Sequence, residues 1–127
     1  MKAEYLSNIN YPTDSLIRLF DFELEEIIQF RDRIQQIVIE NRNPLDLSEL
    51  KFIEQINCGL IFHISSEDRG IEKLNGTDFI CNLTVKSYEN LLGYLAPFCD
   101  DHLSGYQWLL YETNTPIELL LSQSGTW

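Results

Sequence analysis

The sequence predicts an α+β fold, and three observations carry that reading. An apolar stripe recurs at helical spacing through Leu24, Ile27, Phe30, Ile34, Ile37 and Val38. The stretch that follows changes to short apolar runs cut by the turn signals Asp68-Arg69-Gly70 and Asn75-Gly76. Helical segments are then interspersed with hairpins rather than alternating with single strands. The expected order is β-α-β-β-β-β-α-β-β in one domain, residues 14–127: a mostly antiparallel sheet of about six to seven strands with two helices packed on one face.

Each element follows from local chemistry. Residues 1–13, with Tyr5, Asn8, Asn10 and Pro12, read as an irregular N-terminal arm. Leu16-Ile17-Arg18-Leu19-Phe20 has the β-branched and aromatic content of a strand. Asp21 is the expected N-cap of a helix over residues 22–40, and Glu23, Glu25 and Glu26 crowd the first turn, where the helix dipole favours negative charge. Pro44 ends it. Residues 50–54 fit a strand better than a helix end. Residues 59–64 read as a central strand, because apolar side chains fall on both faces. A short strand over 71–74, the Asn75-Gly76 turn and a returning strand over 78–84 complete an antiparallel meander. Thr84 caps a second helix over 85–98, which buries Tyr88, Leu91, Leu92 and Leu95 and is distorted late by Pro97. Residues 105–112 and 116–122 form a closing hairpin.

Composition narrows the class of function. The chain has 127 residues, 20 Asp and Glu against 9 Lys and Arg, and a net charge of -11. That balance argues against nucleic acid as a partner, since phosphate neutralisation needs clustered Lys and Arg. No apolar run approaches the length of a membrane span, and the first residues lack the apolar core of a signal peptide. Three cysteines, Cys58, Cys81 and Cys99, without a CxxC, read as free thiols in a reducing cytoplasm. No cofactor is expected. Neither a nucleophile elbow, a glycine-rich phosphate loop, an H-E-x-x-H nor a calcium loop occurs, so catalysis is not the favoured reading.

Two features stand out as candidate sites. Cys99-Asp100-Asp101-His102 places a thiol and an imidazole three residues apart, weak candidates for a metal site or a nucleophile and base. A thiol at a helix C-terminus beside two carboxylates has its pKa raised, which works against a nucleophile. The second feature is charge. From Ser87 to Trp127 there is no Lys or Arg, while Glu89, Asp100, Asp101, Glu112 and Glu118 are present. Such a field steers basic partners in. The favoured expectation is therefore an acidic, non-enzymatic binding module, in the manner of an inhibitor or immunity protein, that docks a basic protein. Asp100, Asp101, Glu112 and Glu118 would steer, with Trp108 and Tyr111 as anchors. Core packing is the expected fate of Trp108 if residues 105–112 are buried on both faces, whereas Trp127 would either plug the core or anchor a partner. The alternative is a ligand-binding or catalytic domain with a pocket between sheet and helices, its polar groups supplied by His63, Arg18 and Tyr106. A homo-oligomer built by edge or face pairing is compatible with either.

Overall fold

The computed structural model describes residues 1–7, 15–100 and 105–127. Nine strands form two mixed sheets rather than one, and they share a continuous core with two helices. The five-stranded sheet has the order β4-β1-β2-β9-β8, with β1 Lys2–Ser7, β2 Ser15–Phe20, β4 Glu54–Gln55, β8 Tyr106–Trp108 and β9 Glu118–Ser122. The four-stranded sheet has the order β3-β5-β7-β6, with β3 Leu45–Asp46, β5 Gly59–Ile64, β6 Gly70–Asn75 and β7 Asp78–Leu83.

The first correction concerns the arm. Lys2-Ala3-Glu4-Tyr5-Leu6-Ser7 is a full strand, antiparallel to β2. Its alternation explains why: Ala3 and Tyr5 turn inward, with Tyr5 stacked 4.7 Å from Phe79 of the other sheet, while Lys2, Glu4 and Leu6 point out. The rest of the arm, including Asn8, Asn10 and Pro12, lies outside the described residues. The strands either side of the first helix, β2 and β3, lie in different sheets and are not neighbours.

The second correction is the meander. The Asn75-Gly76 hairpin forms as expected, with Gly76 at φ 44. The returning strand β7, however, inserts between β6 and β5 and runs parallel to β5. Sequential strands are neighbours more often than not, and that default fails here because Phe79, Cys81 and Leu83 of β7 are the residues that fill the core. Strand β5 is central in its sheet, but only Leu60 and Phe62 are buried, and His63 faces solvent.

The first helix, α1, spans Leu24–Arg33 and continues as a π-helical segment over Ile34–Glu40, closed by a hydrogen bond from Asn41 N to Gln36 O at 3.1 Å. Its N-cap is Glu23 rather than Asp21. The Glu26 carboxylate accepts from the Glu23 amide at 2.9 Å and from the Met1 ammonium at 2.8 Å, so the cap also ties down the start of β1. Asp21 instead adopts a left-handed φ of 53 and pairs with Lys2. A 3-10 turn over Leu47–Glu49 occupies part of the region between β3 and β4, so the strand expected over residues 50–54 shrinks to Glu54–Gln55.

The second helix, α2, spans Val85–Leu95, capped by the Thr84 hydroxyl on the Ser87 amide. Pro97 turns its end into a 3-10 segment, Ala96–Cys99, as the sequence suggests. The helix touches both β7 and β8, so it bridges the two sheets rather than lying on one face of a single sheet. Tyr88 is its anchor: fully buried, it packs 5.9 Å from Phe62, and its hydroxyl reaches between two parallel strands. The hydroxyl donates to Cys81 O at 2.6 Å and accepts from His63 N at 2.8 Å, with His63 O at 3.0 Å. A second staple closes the sheets at the far edge, where Thr115 Oγ1 accepts from Ile71 N at 2.9 Å and donates to Ile117 O at 2.7 Å.

Candidate functional site

The five-stranded sheet has two unequal faces. Cross-strand register places Ala3, Leu19, Leu121 and Gln107 in one row and Tyr5, Ile17 and Leu119 in another, both turned to the core. The opposite face carries the rows Lys2–Phe20–Ser122–Tyr106, Glu4–Arg18–Leu120–Trp108 and Leu6–Leu16–Glu118. This outer face is also rich in large apolar groups, of which Leu16 and Leu120 are buried. Tyr106 is 52% exposed, Trp108 and Phe20 are half-buried, and Tyr106 and Trp108 meet edge to face at 6.5 Å.

A frame of polar contacts holds the face rigid. The Arg18 guanidinium bonds Glu4 through Nε at 2.9 Å and Nη2 at 2.6 Å, donates to Gly125 O at 2.7 Å, and lies 4.0 Å over the Phe20 ring. The Gly125 contact brings the C-terminal turn back against the sheet, where a φ of 84 and the closeness of Phe20 suit only glycine. The Ser122 hydroxyl, fully buried, donates to Thr126 O at 2.6 Å. Trp127 is 44% exposed at the end of that turn, so it does not plug the core.

Trp108 is therefore not a core residue, because β8 stops after three residues. Leu109 and Leu110 then both turn inward, ending the alternation that would have run to Glu112. Of the expected partner-binding set, Trp108 and Glu118 share the outer face. Tyr111, 72% exposed, and Glu112 lie in the turn beyond β8, beside Tyr94 of α2; the Tyr94 and Tyr111 rings meet at 6.4 Å. Hydrogen bonding to Glu112, followed by burial and charge, holds the Tyr94 hydroxyl above its ordinary value. Burial pushes the Glu118 carboxyl up. Asp100 is exposed at the end of the 3-10 segment, and Asp101 and His102 lie outside the described residues.

Of the metal and nucleophile candidates Cys99 and His102, only Cys99 is among the described residues. Cys99 is half-buried with its Sγ 4.0 Å from Ile27 O. Burial raises its thiol pKa, Arg31 pulls it down and Asp32 adds to the rise, leaving it above the ordinary value. Burial pushes Cys58 up to about 11 and Cys81 up to about 12. Among the described residues no group of three or more His, Cys, Asp or Glu converges as metal ligands. Of the three groups of the pocket alternative, His63 stands apart from the other two. His63 sits on the four-stranded sheet, bonded to Asn82 at 2.9 Å, while Arg18 and Tyr106 lie on the outer face of the five-stranded sheet.

Sequence reasoning missed Phe20 and Tyr106 as members of one surface. The signal was present in β2, where Leu16, Arg18 and Phe20 alternate with Ile17 and Leu19. Among the described residues no helix is long and apolar enough to cross a membrane. No protein-family model, curated protein or solved structure matches this chain, so its function is argued from its own geometry.

Proposed function

We propose that this chain is a non-enzymatic binding module whose outer five-stranded face docks a basic protein. The observation that carries the reading is the pair Tyr106 and Trp108, set edge to face on the outer sheet surface with Glu118 on the same face. Amphipathic aromatics of this kind are the usual anchors of protein interfaces. Complementary charge supports the choice of partner. The last 41 residues contain no Lys or Arg, and Lys2 and Arg18, the cations of the outer-face rows, are already held by Asp21 and Glu4. Glu112 lies in the connection between β8 and β9 and Glu118 opens β9, where a basic surface would approach the anchors. Three free thiols fit a reducing compartment for this encounter.

The test is kinetic. For a basic protein retained by the wild-type chain, Glu112→Lys combined with Glu118→Lys should slow association about tenfold at low salt and flatten its salt dependence, with a smaller change in dissociation. An association rate unchanged at low salt would remove the steering role.

A further inference from the structure

We propose that a groove beside the π-helical segment binds a small organic carboxylate with an apolar body. The groove encloses about 450 Å³, within the range of small-molecule sites. Its floor is apolar: Leu45 and Leu50 are buried, and Ile37 and Phe52 are half-buried. Its rim carries Arg33 and Lys51, both exposed, with Glu49 as the acid opposing them and Gln29 as a neutral donor.

The charge of this rim runs against the rest of the molecule. In a chain of net charge -11 with nine Lys and Arg, the cations Lys2, Arg18, Arg31 and Arg69 are ion-paired within the protein, while Arg42, Lys73 and Lys86 are scattered cations without an ion pair among the described residues. Arg33 and Lys51 have no such partner among the described residues, and both open onto one apolar groove. Gln29, Arg33 and Ile37 follow one another at four-residue spacing, which sets them on one helix face above the floor. Of the two acids about one turn earlier, Glu26 is bonded to the Met1 ammonium and the Glu23 amide, while Glu25 is exposed and makes no ion pair among the described residues. The backbone beneath Ile37 is the π-helical segment itself, a rare geometry that is frequently found at functional sites. A carboxylate would be gripped by the planar Arg33 fork and the Lys51 ammonium, while its apolar portion covers Ile37 and Phe52. A cationic or uncharged ligand would leave both rim cations unused.

The experiment uses the full chain and sodium decanoate below its micelle-forming concentration, followed by amide NMR and calorimetry, with 1-decanol as the uncharged control. Decanoate should shift amides within residues 29–37 and 45–52. The double variant Arg33→Gln, Lys51→Gln, whose exposed sites leave folding intact as judged by its own spectrum, should bind decanoate about tenfold or more weakly while binding decanol as the wild type does. Absence of decanoate binding, shifts centred elsewhere, or equal affinity in the double variant would each overturn the proposal.

Discussion

Removing one oxygen atom tests how α2 is joined to the four-stranded sheet. In Tyr88→Phe the ring keeps its place against Phe62, but the hydroxyl that bonds Cys81 O and His63 N is gone. Tyr88 is fully buried, so water does not readily replace it. Each buried backbone group left without a partner costs roughly 1–3 kcal/mol, and partial relaxation brings the expected loss for the two groups to about 2–4 kcal/mol. With a urea dependence of about 2 kcal/mol/M for a chain of this size, the unfolding midpoint should fall by about 1–2 M. Urea unfolding followed by circular dichroism measures the shift, and hydrogen exchange at the His63 amide reports whether the loss is local. A destabilisation below about 0.5 kcal/mol, less than a typical single hydrogen bond, would show that the hydroxyl does not carry the junction.

Further predictions concern the edges of the fold. Gly70→Ala places a Cβ 2.9 Å from Thr115 Cα and closer still to its side chain, at a φ of 76. Left-handed strain and overpacking together should cost about 2–5 kcal/mol. Gly76→Ala, at a φ of 44 with nothing within 4 Å of the added carbon, should cost only about 1 kcal/mol; equal losses in urea unfolding would refute the Thr115 staple. For Glu26, burial pushes the carboxyl up, but its bonds to the Met1 ammonium and the Glu23 amide outweigh this and hold it below its ordinary value of 4.5. The stability it confers is therefore present above 4.5 and is lost as pH falls through the depressed folded-state value. Glu26→Gln should be less stable than the wild type at neutral pH, and the gap should close on acidification. A gap constant from pH 7 to 3 would contradict the assignment.

What the sequence revealed depended on how local the cause was. Thr84, Pro97 and the Asn75-Gly76 turn act through their immediate neighbours, and the second helix and the hairpin formed as their chemistry dictates. Strand β1 was hidden because Asn8, Asn10 and Pro12 drew attention from the alternation of Ala3 and Tyr5 just before them. The place of β7 between β5 and β6 was not legible, since parallel pairing with β5 is set by which strand fills the core and not by the turn that precedes it. The cap moved from Asp21 to Glu23 because Asp21 is drawn to Lys2, 19 residues earlier. The same limit applies to the outer face. Trp108 and Glu118 were each nameable, but their shared surface depends on the antiparallel register of β8 and β9 and the parallel register of β2 and β9. The groove at Arg33 and Lys51 joins residues from opposite sides of Pro44, and nothing local to either announces it.

The most direct test of the docking surface is a paired pull-down from native lysate, comparing the wild-type chain with Tyr106→Ser, Trp108→Ser at low and high salt, with retained proteins identified by mass spectrometry. The double variant lies on an edge strand where Tyr106 is exposed and Trp108 half-buried, and its unfolding midpoint is compared with the wild type first. The expected result is a basic protein held by the wild type at low salt, released at high salt, and absent with the variant. Retention of the same proteins by both chains, or no basic protein at either salt, would contradict the assignment of this face.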